Sequence, residues 1–345
     1  MLALIGIVAV IWGGGHLMGA SRKARAVLLA ALYLALLLTH AVLPDGHPIR
    51  QATGDSAAPW LILGGALALG AAYALIVQRL KARAQAQAAP PAQQAKFSGA
   101  ELERYARHIV LRELGGPGQR ALREARVLVI GAGGLGAPAL QYLAAAGVGT
   151  IGVIDDDTVE NANLQRQVIH TDARIGTPKV ASAQAAMLAQ NPYVTVKPYQ
   201  RRLDGDIAQA LFSEYDIILD GTDNFETRYL ANAAAVQAGK PLISGALSQW
   251  EGQISVFDPA RGAPCYQCIF PQAPAPGLAP SCAEAGVLGP LPGVLGAMMA
   301  VEAVKLIAGA GQPLLGEMLI YDALWGETRK IALKRRVGCP VCGGV

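Results

Sequence analysis

The stretch RVLVIGAGGLGAPAL, residues 126–140, constrains the fold more than any other part of the chain. Val127, Val129 and Ile130 are β-branched and apolar, which reads as a short buried strand. The strand runs directly into Gly131, Gly133, Gly134 and Gly136, a G-x-G-x-x-G spacing in front of an apolar helix over 136–146. Glycines at those positions permit a tight turn and let backbone N–H groups approach a phosphate at the helix N-terminus. A second strand, TIGVID, ends at Asp155, where an acidic residue can hold a ribose hydroxyl. The pattern predicts a βαβ unit that binds a nucleotide. NAD and ATP fit it equally well, and a glycine-rich βα turn without a ligand is the plain alternative.

The alternation continues beyond the loop. A helix with RYARHIVLREL (104–114) precedes the first strand. Helix 179–190, strand YVTVKP, helix 206–213, strand YDIILDGTDN, helix 226–238 and strand PLISG follow it. This order predicts an α/β fold, a doubly wound Rossmann-like sheet. GQISVFD, EMLIYDA and TRKIALK then alternate as strands, which predicts a mixed or antiparallel C-terminal extension. The apolar run 291–310 contains Glu302 and Lys305 and opens at Pro292, so a buried core helix is expected there.

The N-terminal region has a different composition. Residues 1–21, 26–44 and 56–78 carry no Asp, Glu, Lys or Arg. Each run is close to the ~20 residues that cross a hydrocarbon core of ~30 Å. About three transmembrane helices are expected within residues 1–80, over 2–20, 26–43 and 60–77. The first run lacks the basic n-region of a signal peptide, because its cations follow it. Arg22, Lys23 and Arg25 lie between the first two runs, and Arg79, Lys81 and Arg83 follow the third. The positive-inside rule then places the N-terminus outside and everything after residue 79 in the cytoplasm, a multi-pass protein of the cytoplasmic membrane. Residues 1–96 carry a net charge of +6 and the remainder −2, so the basic character belongs to membrane-flanking residues, not to a nucleic-acid surface. Residues 81–97, rich in Ala, Gln and Pro, read as a linker to a domain over 98–345.

All 5 cysteines lie near the C-terminus. Cys265-x-x-Cys268 and Cys339-x-x-Cys342 offer four thiolates for one tetrahedral zinc, closed and therefore structural. Disulfides or two separate redox pairs are the alternatives. Cys282 is left over, open to a role as nucleophile or persulfide carrier and equally to a bland buried position.

Cations choose between the nucleotides. Asn163 and Arg166 follow the carboxylates Asp155 to Asp157, and Lys179 opens the next helix. Asp223 and Asn224 come at the end of the fourth strand, on the edge where α/β sheets bind ligands. Arg107 lies on the preceding helix. A triphosphate undergoing displacement uses cations to neutralise charge and a carboxylate to hold Mg²⁺, whereas the pyrophosphate of NAD needs fewer cations.

With RYARHIVL, GAGGLG, NLQRQ, GTPK, GTDN, EGQISVF, PCYQC, CAEAGVLGP and CPVC in this order, residues 98–345 resemble the ThiF/MoeB/HesA family of ubiquitin-activating, E1-like enzymes. The molybdopterin-synthase adenylyltransferase (MoeB) type is the nearest. The resemblance implies an adenylyltransferase. ATP activates the C-terminal glycine carboxylate of a small ubiquitin-like sulfur-carrier protein, pyrophosphate is released, and the pathway is molybdenum-cofactor or thiamine biosynthesis. It implies that Gly134 and its neighbours cradle phosphates and that Asp155 binds ribose. It puts Asn163, Arg166 and Lys179 on the triphosphate, and Asp223 on Mg²⁺ with Asn224 beside it. Arg107 would reach the partner's site across a homodimer. Cys265, Cys268, Cys339 and Cys342 would hold structural Zn²⁺, and Cys282 matches a cysteine used in thioester or acyl-disulfide chemistry by some members. The N-terminal spans depart from the family pattern. No rhodanese domain follows the last cysteine pair, so a separate sulfur donor, a cysteine desulfurase or a rhodanese, is expected.

Three other functions fit parts of the pattern. A tRNA-base (threonylcarbamoyladenosine) dehydratase of the same superfamily would use KRR at 334–336, the one basic cluster of the domain. An NAD-dependent oxidoreductase would bind nicotinamide. A non-catalytic scaffold would tolerate loss of Arg166 or Lys179.

Overall fold

In a computed structural model of the chain, residues 2–54, 56–87, 97–275 and 285–343 are described. The chain divides into two compact units, Met1–Lys96 and Phe97–Val345.

The N-terminal unit is helical. Ser21 caps the helix Arg22–Val42 by accepting the Ala24 N–H, and Ala58–Gln87 runs unbroken for 30 residues. Within these helices, Lys23–Val42 and Ala58–Val77 are long and apolar enough to cross a membrane. The first apolar run gives a shorter apolar helix, with a π turn at Val10–Gly14. Arg25 donates to the Trp12 carbonyl in that turn at 3.1 Å, and its guanidinium lies 4.9 Å over the indole. Further along, the Tyr33 hydroxyl donates to the Trp60 carbonyl at 2.7 Å. The Trp60 indole N–H in turn donates to the Thr53 carbonyl at 3.0 Å. The Tyr33 bond joins the two long helices, and the Trp60 bond ties the second of them to the short helix Pro48–Thr53.

The C-terminal unit is built on one eight-stranded sheet in the order β3-β2-β1-β4-β5-β6-β7-β8. Strands β1 (Arg126–Ile130), β2 (Thr150–Ile154), β3 (Thr195–Tyr199), β4 (Ile217–Asp220) and β5 (Leu242–Leu247) are parallel. Strands β6 (Glu251–Phe257), β7 (Glu317–Asp322) and β8 (Glu327–Ala332) continue the same sheet antiparallel. The expected extension is therefore part of the doubly wound sheet itself. Central strands β1 and β4 are buried on both faces, which explains their unbroken apolar sequences. One face carries the helices Gly136–Ala146, Lys179–Gln190 and Pro290–Ala308, and the other carries Gly205–Ser213 and Phe225–Ala238.

Three sequence expectations shift. The helix expected over 104–114 occupies Gly99–Ile109, started by a capping box between Ser98 and Glu101. A second helix, Gly115–Glu124, follows a turn in which Gly115 takes φ +60°, and the weak apolar pattern of GGPGQRALRE had hidden it. Strand β4 stops at Asp220, so Asp223 and Asn224 lie beyond the strand, in the loop and at the cap of the next helix.

Pro290–Ala308 is also apolar enough to span a membrane, yet Leu291, Leu295, Met299, Ala300 and Ala303 are buried in the domain core. Gly296 allows the close approach, because a Cβ there would stand 2.3 Å from the Leu135 carbonyl oxygen and 2.4 Å from Pro138 Cγ. Gly296→Ala is expected to cost about 1–3 kcal/mol through overpacking. A fall in the thermal unfolding midpoint of the full chain would show it, and an unchanged midpoint would refute the tight contact.

Candidate functional site

The parallel strands end in loops that converge on one cavity of about 1280 Å³. Gly131, Gly133, Gly134, Asp155, Arg166, Lys179, Asp223 and Asn224 all line it, so eight of the expected site residues come together. Gly131 takes φ +89°, which turns the chain out of β1. Gly136 does not line the cavity. A Cβ there would stand 1.9 Å from the Gly131 carbonyl oxygen, so its function is to seat the helix against the turn. Gly131, Gly133, Gly134 and Leu135, just ahead of the helix Gly136–Ala146, line the cavity with backbone, a suitable place for a phosphate near a helix N-terminus.

Two side chains hold the loop. Asp155 Oδ2 accepts the Ala132 N–H at 2.7 Å and its Oδ1 accepts the Asp157 N–H at 2.9 Å. His170 Nε2 lies 2.9 Å from the Ala132 carbonyl and its Nδ1 2.9 Å from Ser182 Oγ. Burial raises the Asp155 carboxyl above the usual range, against the opposing pull of the Ala132 N–H and Lys179. Burial likewise lowers His170, so the neutral ring is favoured. Asp155 is thus a brace for the glycine loop, and a carboxylate with further lone pairs still has capacity for a ribose hydroxyl.

The cations are positioned from below. Asn163 is buried outside the cavity, and its Oδ1 accepts from Arg166 Nη2 at 3.3 Å, so it orients Arg166. Lys179 is buried and its Nζ pairs with Asp157 at 2.6 Å. Asp223 is exposed to the cavity. Asn224 caps the helix Phe225–Ala238 by accepting the Thr227 N–H at 2.9 Å, which leaves its amide NH₂ free for other work. Arg107 is exposed on Gly99–Ile109 and does not line this cavity. Cys282 lies outside the described residues.

Sequence reasoning missed a buried network beneath Asp223. Asp220 Oδ1 accepts both the Thr222 N–H at 3.1 Å and the Thr222 hydroxyl at 2.6 Å, while Ser244 Oγ donates to Oδ2 at 3.2 Å. Arg228 donates to the Thr222 carbonyl, to the Gly245 carbonyl at 2.7 Å and to Ser244 Oγ at 3.0 Å, with Asp220 3.5 Å away. The N–H and the carbonyl of Thr222 are therefore both held, which fixes the backbone that presents Asp223. The sequence offered little clue, because Arg228 stands among the polar residues Glu226, Asn232 and Gln237 of the same helix. Gln167 was also missed. It is buried, lines the cavity beside Gly133, and its Oε1 has no partner.

The four cysteines of the two C-x-x-C pairs are buried together. Their Sγ atoms are 3.7 Å apart for Cys265–Cys268, 3.6 Å for Cys265–Cys339 and 3.3 Å for Cys268–Cys342. Tetrahedral zinc with Zn–S bonds of ~2.3 Å requires S···S spacings of about 3.8 Å. The donor set and spacing therefore fit zinc. Burial raises the Cys265 thiol, whereas N–H bonds from Cys342 and Val341 outweigh burial at Cys339 and bring it down to about 6.

The fold and site define a nucleotide-binding α/β protein whose glycine loop, cations and acidic loop serve a phosphate-rich ligand. Residues 105–341 match the ThiF family, and the chain belongs to that family. It is 49% identical over 252 residues to the sulfur carrier protein adenylyltransferase of Thermus thermophilus, covering 72% of this chain and 93% of that one. It is 46% identical over 249 residues to the molybdopterin-synthase adenylyltransferase of Escherichia coli, covering 72% of this chain and 99% of that one. A crystal structure of E. coli MccB with ATP shares the fold, with a TM-score of 0.61 and 24% identity over 74% of this chain and 77% of that one.

Two outcomes follow from this geometry. Because burial depresses His170 below 6.5, the unfolded chain takes up the proton first on acidification. The stability carried by neutral His170 is complete above pH 6.5 and is lost as pH falls through the lower folded-state value. A His170→Gln variant should unfold at a lower temperature at neutral pH and show a flatter midpoint-versus-pH profile below 6.5. For the cysteine cluster, a zinc chelator should lower the midpoint of the wild type but not of Cys339→Ser, and an unaffected wild type would exclude a structural metal.

Proposed function

We propose that this chain is an ATP-dependent adenylyltransferase that activates the C-terminal glycine carboxylate of a small sulfur-carrier protein, for molybdenum-cofactor or thiamine biosynthesis. The observation that carries the proposal is Arg166, Lys179 and Asp223 on one cavity with the glycine loop, in a chain 46–49% identical to enzymes named adenylyltransferase.

The chemistry needs no separate base, since the attacking carboxylate is already a nucleophile. Catalysis then rests on positioning and on charge stabilisation. The glycine-loop N–H groups hold phosphate oxygens, and Arg166 and Lys179 neutralise charge as pyrophosphate departs from the α-phosphate. The buried location of Lys179 strengthens that interaction over one in open solvent. Asp223 is the residue to hold Mg²⁺, which when bound supplies further charge neutralisation. The cysteine cluster is the structural zinc site. Arg107, exposed on its helix, is the residue that would serve the cavity of a second copy in a homodimer.

Helices Lys23–Val42 and Ala58–Val77 support anchoring in the cytoplasmic membrane. The cation clusters at 22–25 and 79–83 sit at the same-side ends of these two helices, so the positive-inside rule puts the catalytic unit in the cytoplasm whether or not the first run also spans.

Adenylation is tested by ATP–pyrophosphate exchange, using the full chain in detergent with Mg²⁺ and each small host protein that ends in Gly-Gly. Exchange should appear with one carrier and fall at least about 100-fold in Asp223→Ala and in Lys179→Ala. Absence of exchange with every carrier, despite ATP binding, would overturn the proposal. Salt-sensitive tRNA binding in that case would favour the tRNA-base dehydratase.

A further inference from the structure

Gln167 is a buried amide with an unpaired end. It is 4% exposed and lines the cavity beside the glycine loop, and among the described residues its Oε1 has no hydrogen-bond partner. A buried carbonyl left unpaired is unfavourable. Methionine has a similar length, is apolar, and would fill this space without stranding a carbonyl. The amide is therefore explained by what its other end does.

That other end, Nε2, stands at the glycine loop. A Cβ on Gly133 would lie 3.6 Å from Nε2, so the glycine leaves the NH₂ uncovered on the side of the loop. The main chain of Gln167 is pinned. Its N–H donates to the Asn163 carbonyl at 2.9 Å, and its carbonyl accepts the His170 N–H at 3.0 Å. Asn163 orients Arg166, and His170 holds Ala132. One short segment thus puts a cation and an amide on the cavity and braces its glycine loop.

The position suits a neutral donor to an anion. An amide NH₂ donates and does not accept, so the ligand atom facing it must offer a lone pair. A third cation beside Arg166 and Lys179 would repel them, whereas an amide adds a donor without adding charge. In the low dielectric of a buried wall, such a hydrogen bond is stronger than in water.

On the basis of the adenylation described above, we propose that Gln167 is a catalytic residue whose Nε2 donates to the phosphate oxygen held at Gly133. The carrier carboxylate forms the new P–O bond at the α-phosphate. The bond to pyrophosphate breaks, and its electron pair leaves on the pyrophosphate oxygen. Gln167 gives up no proton. Its hydrogen bond strengthens as charge gathers on phosphate oxygens, so it acts on the chemical step more than on ATP binding.

The test uses the full chain in detergent, the Gly-Gly-ending protein that supports exchange, and the variants Gln167→Met and Gln167→Glu. Without nucleotide, Gln167→Met should unfold at the wild-type temperature or above it, because the stranded carbonyl is gone. Its kcat for ATP–pyrophosphate exchange should fall at least about 100-fold, with the KM for ATP within about threefold. Gln167→Glu keeps the length but turns a negative charge toward the phosphates, so its loss of kcat should be at least as large. A lower unfolding midpoint accompanying the lost activity of Gln167→Met would make the residue structural and overturn the inference. A kcat within about threefold of wild type in either variant would also overturn it, as would a raised KM for ATP with kcat kept. Adenylation would stand in each of those cases. If the wild type supports no exchange with any carrier, adenylation itself fails and the inference falls with it.

Discussion

Ala132 is gripped on both sides, by Asp155 on its N–H and by His170 on its carbonyl. Much of the site depends on this grip. A loop of three near-consecutive glycines has the largest conformational entropy to lose on ordering, and no side chains of its own to hold it. Asp155 and His170 supply that order from the next two segments of the chain. Burial shifts the two in opposite senses, toward neutrality in each case, as expected of groups held mainly by short hydrogen bonds in an apolar setting. The glycine loop is therefore ordered by groups of the chain itself.

A second grip, on Thr222, does the same for the acidic loop. Asp220 and Arg228 are both almost fully buried, and removal of either would strand the other as an uncompensated charge. Such pairs contribute little net stability but fix geometry, and here the geometry is the backbone that leads to Asp223. The two grips lie at the ends of adjacent parallel strands. Their loops meet where Gly221 hydrogen-bonds the Ile130 carbonyl and packs against the start of the helix Gly136–Ala146.

The parallel half of the fold was legible because its signals are local. The apolar, mostly β-branched run at 127–130, the glycine spacing and the regular strand–helix alternation each follow from backbone sterics and burial within a few residues. Residues that touch the cavity directly, Arg166, Lys179 and Asp223, were legible because charges near a phosphate loop are hard to explain otherwise. What the sequence hid is long-range. His170 reaches 38 residues back to Ala132, and Arg228 reaches 17 residues ahead to Gly245. Neither pairing leaves a periodic trace. The helix Gly115–Glu124 was hidden for another reason, since three glycines and a proline in its first four residues lower the propensity that tertiary packing then overrides.

Lys179 adds one more consequence. In the folded chain its ammonium is already committed to Asp157, so it is not waiting as a bare charge. An incoming polyphosphate does not simply fill a hole. It must win a cation from a resident carboxylate, and Asp157, about two-thirds exposed, is the rival that retreats into water. The internal ion pair thus sets a floor on what the cavity will accept. On the proposed adenylation, a dense, multiply charged polyphosphate is the kind of anion that competes with Asp157 for Lys179, whereas chloride or a lone carboxylate competes poorly.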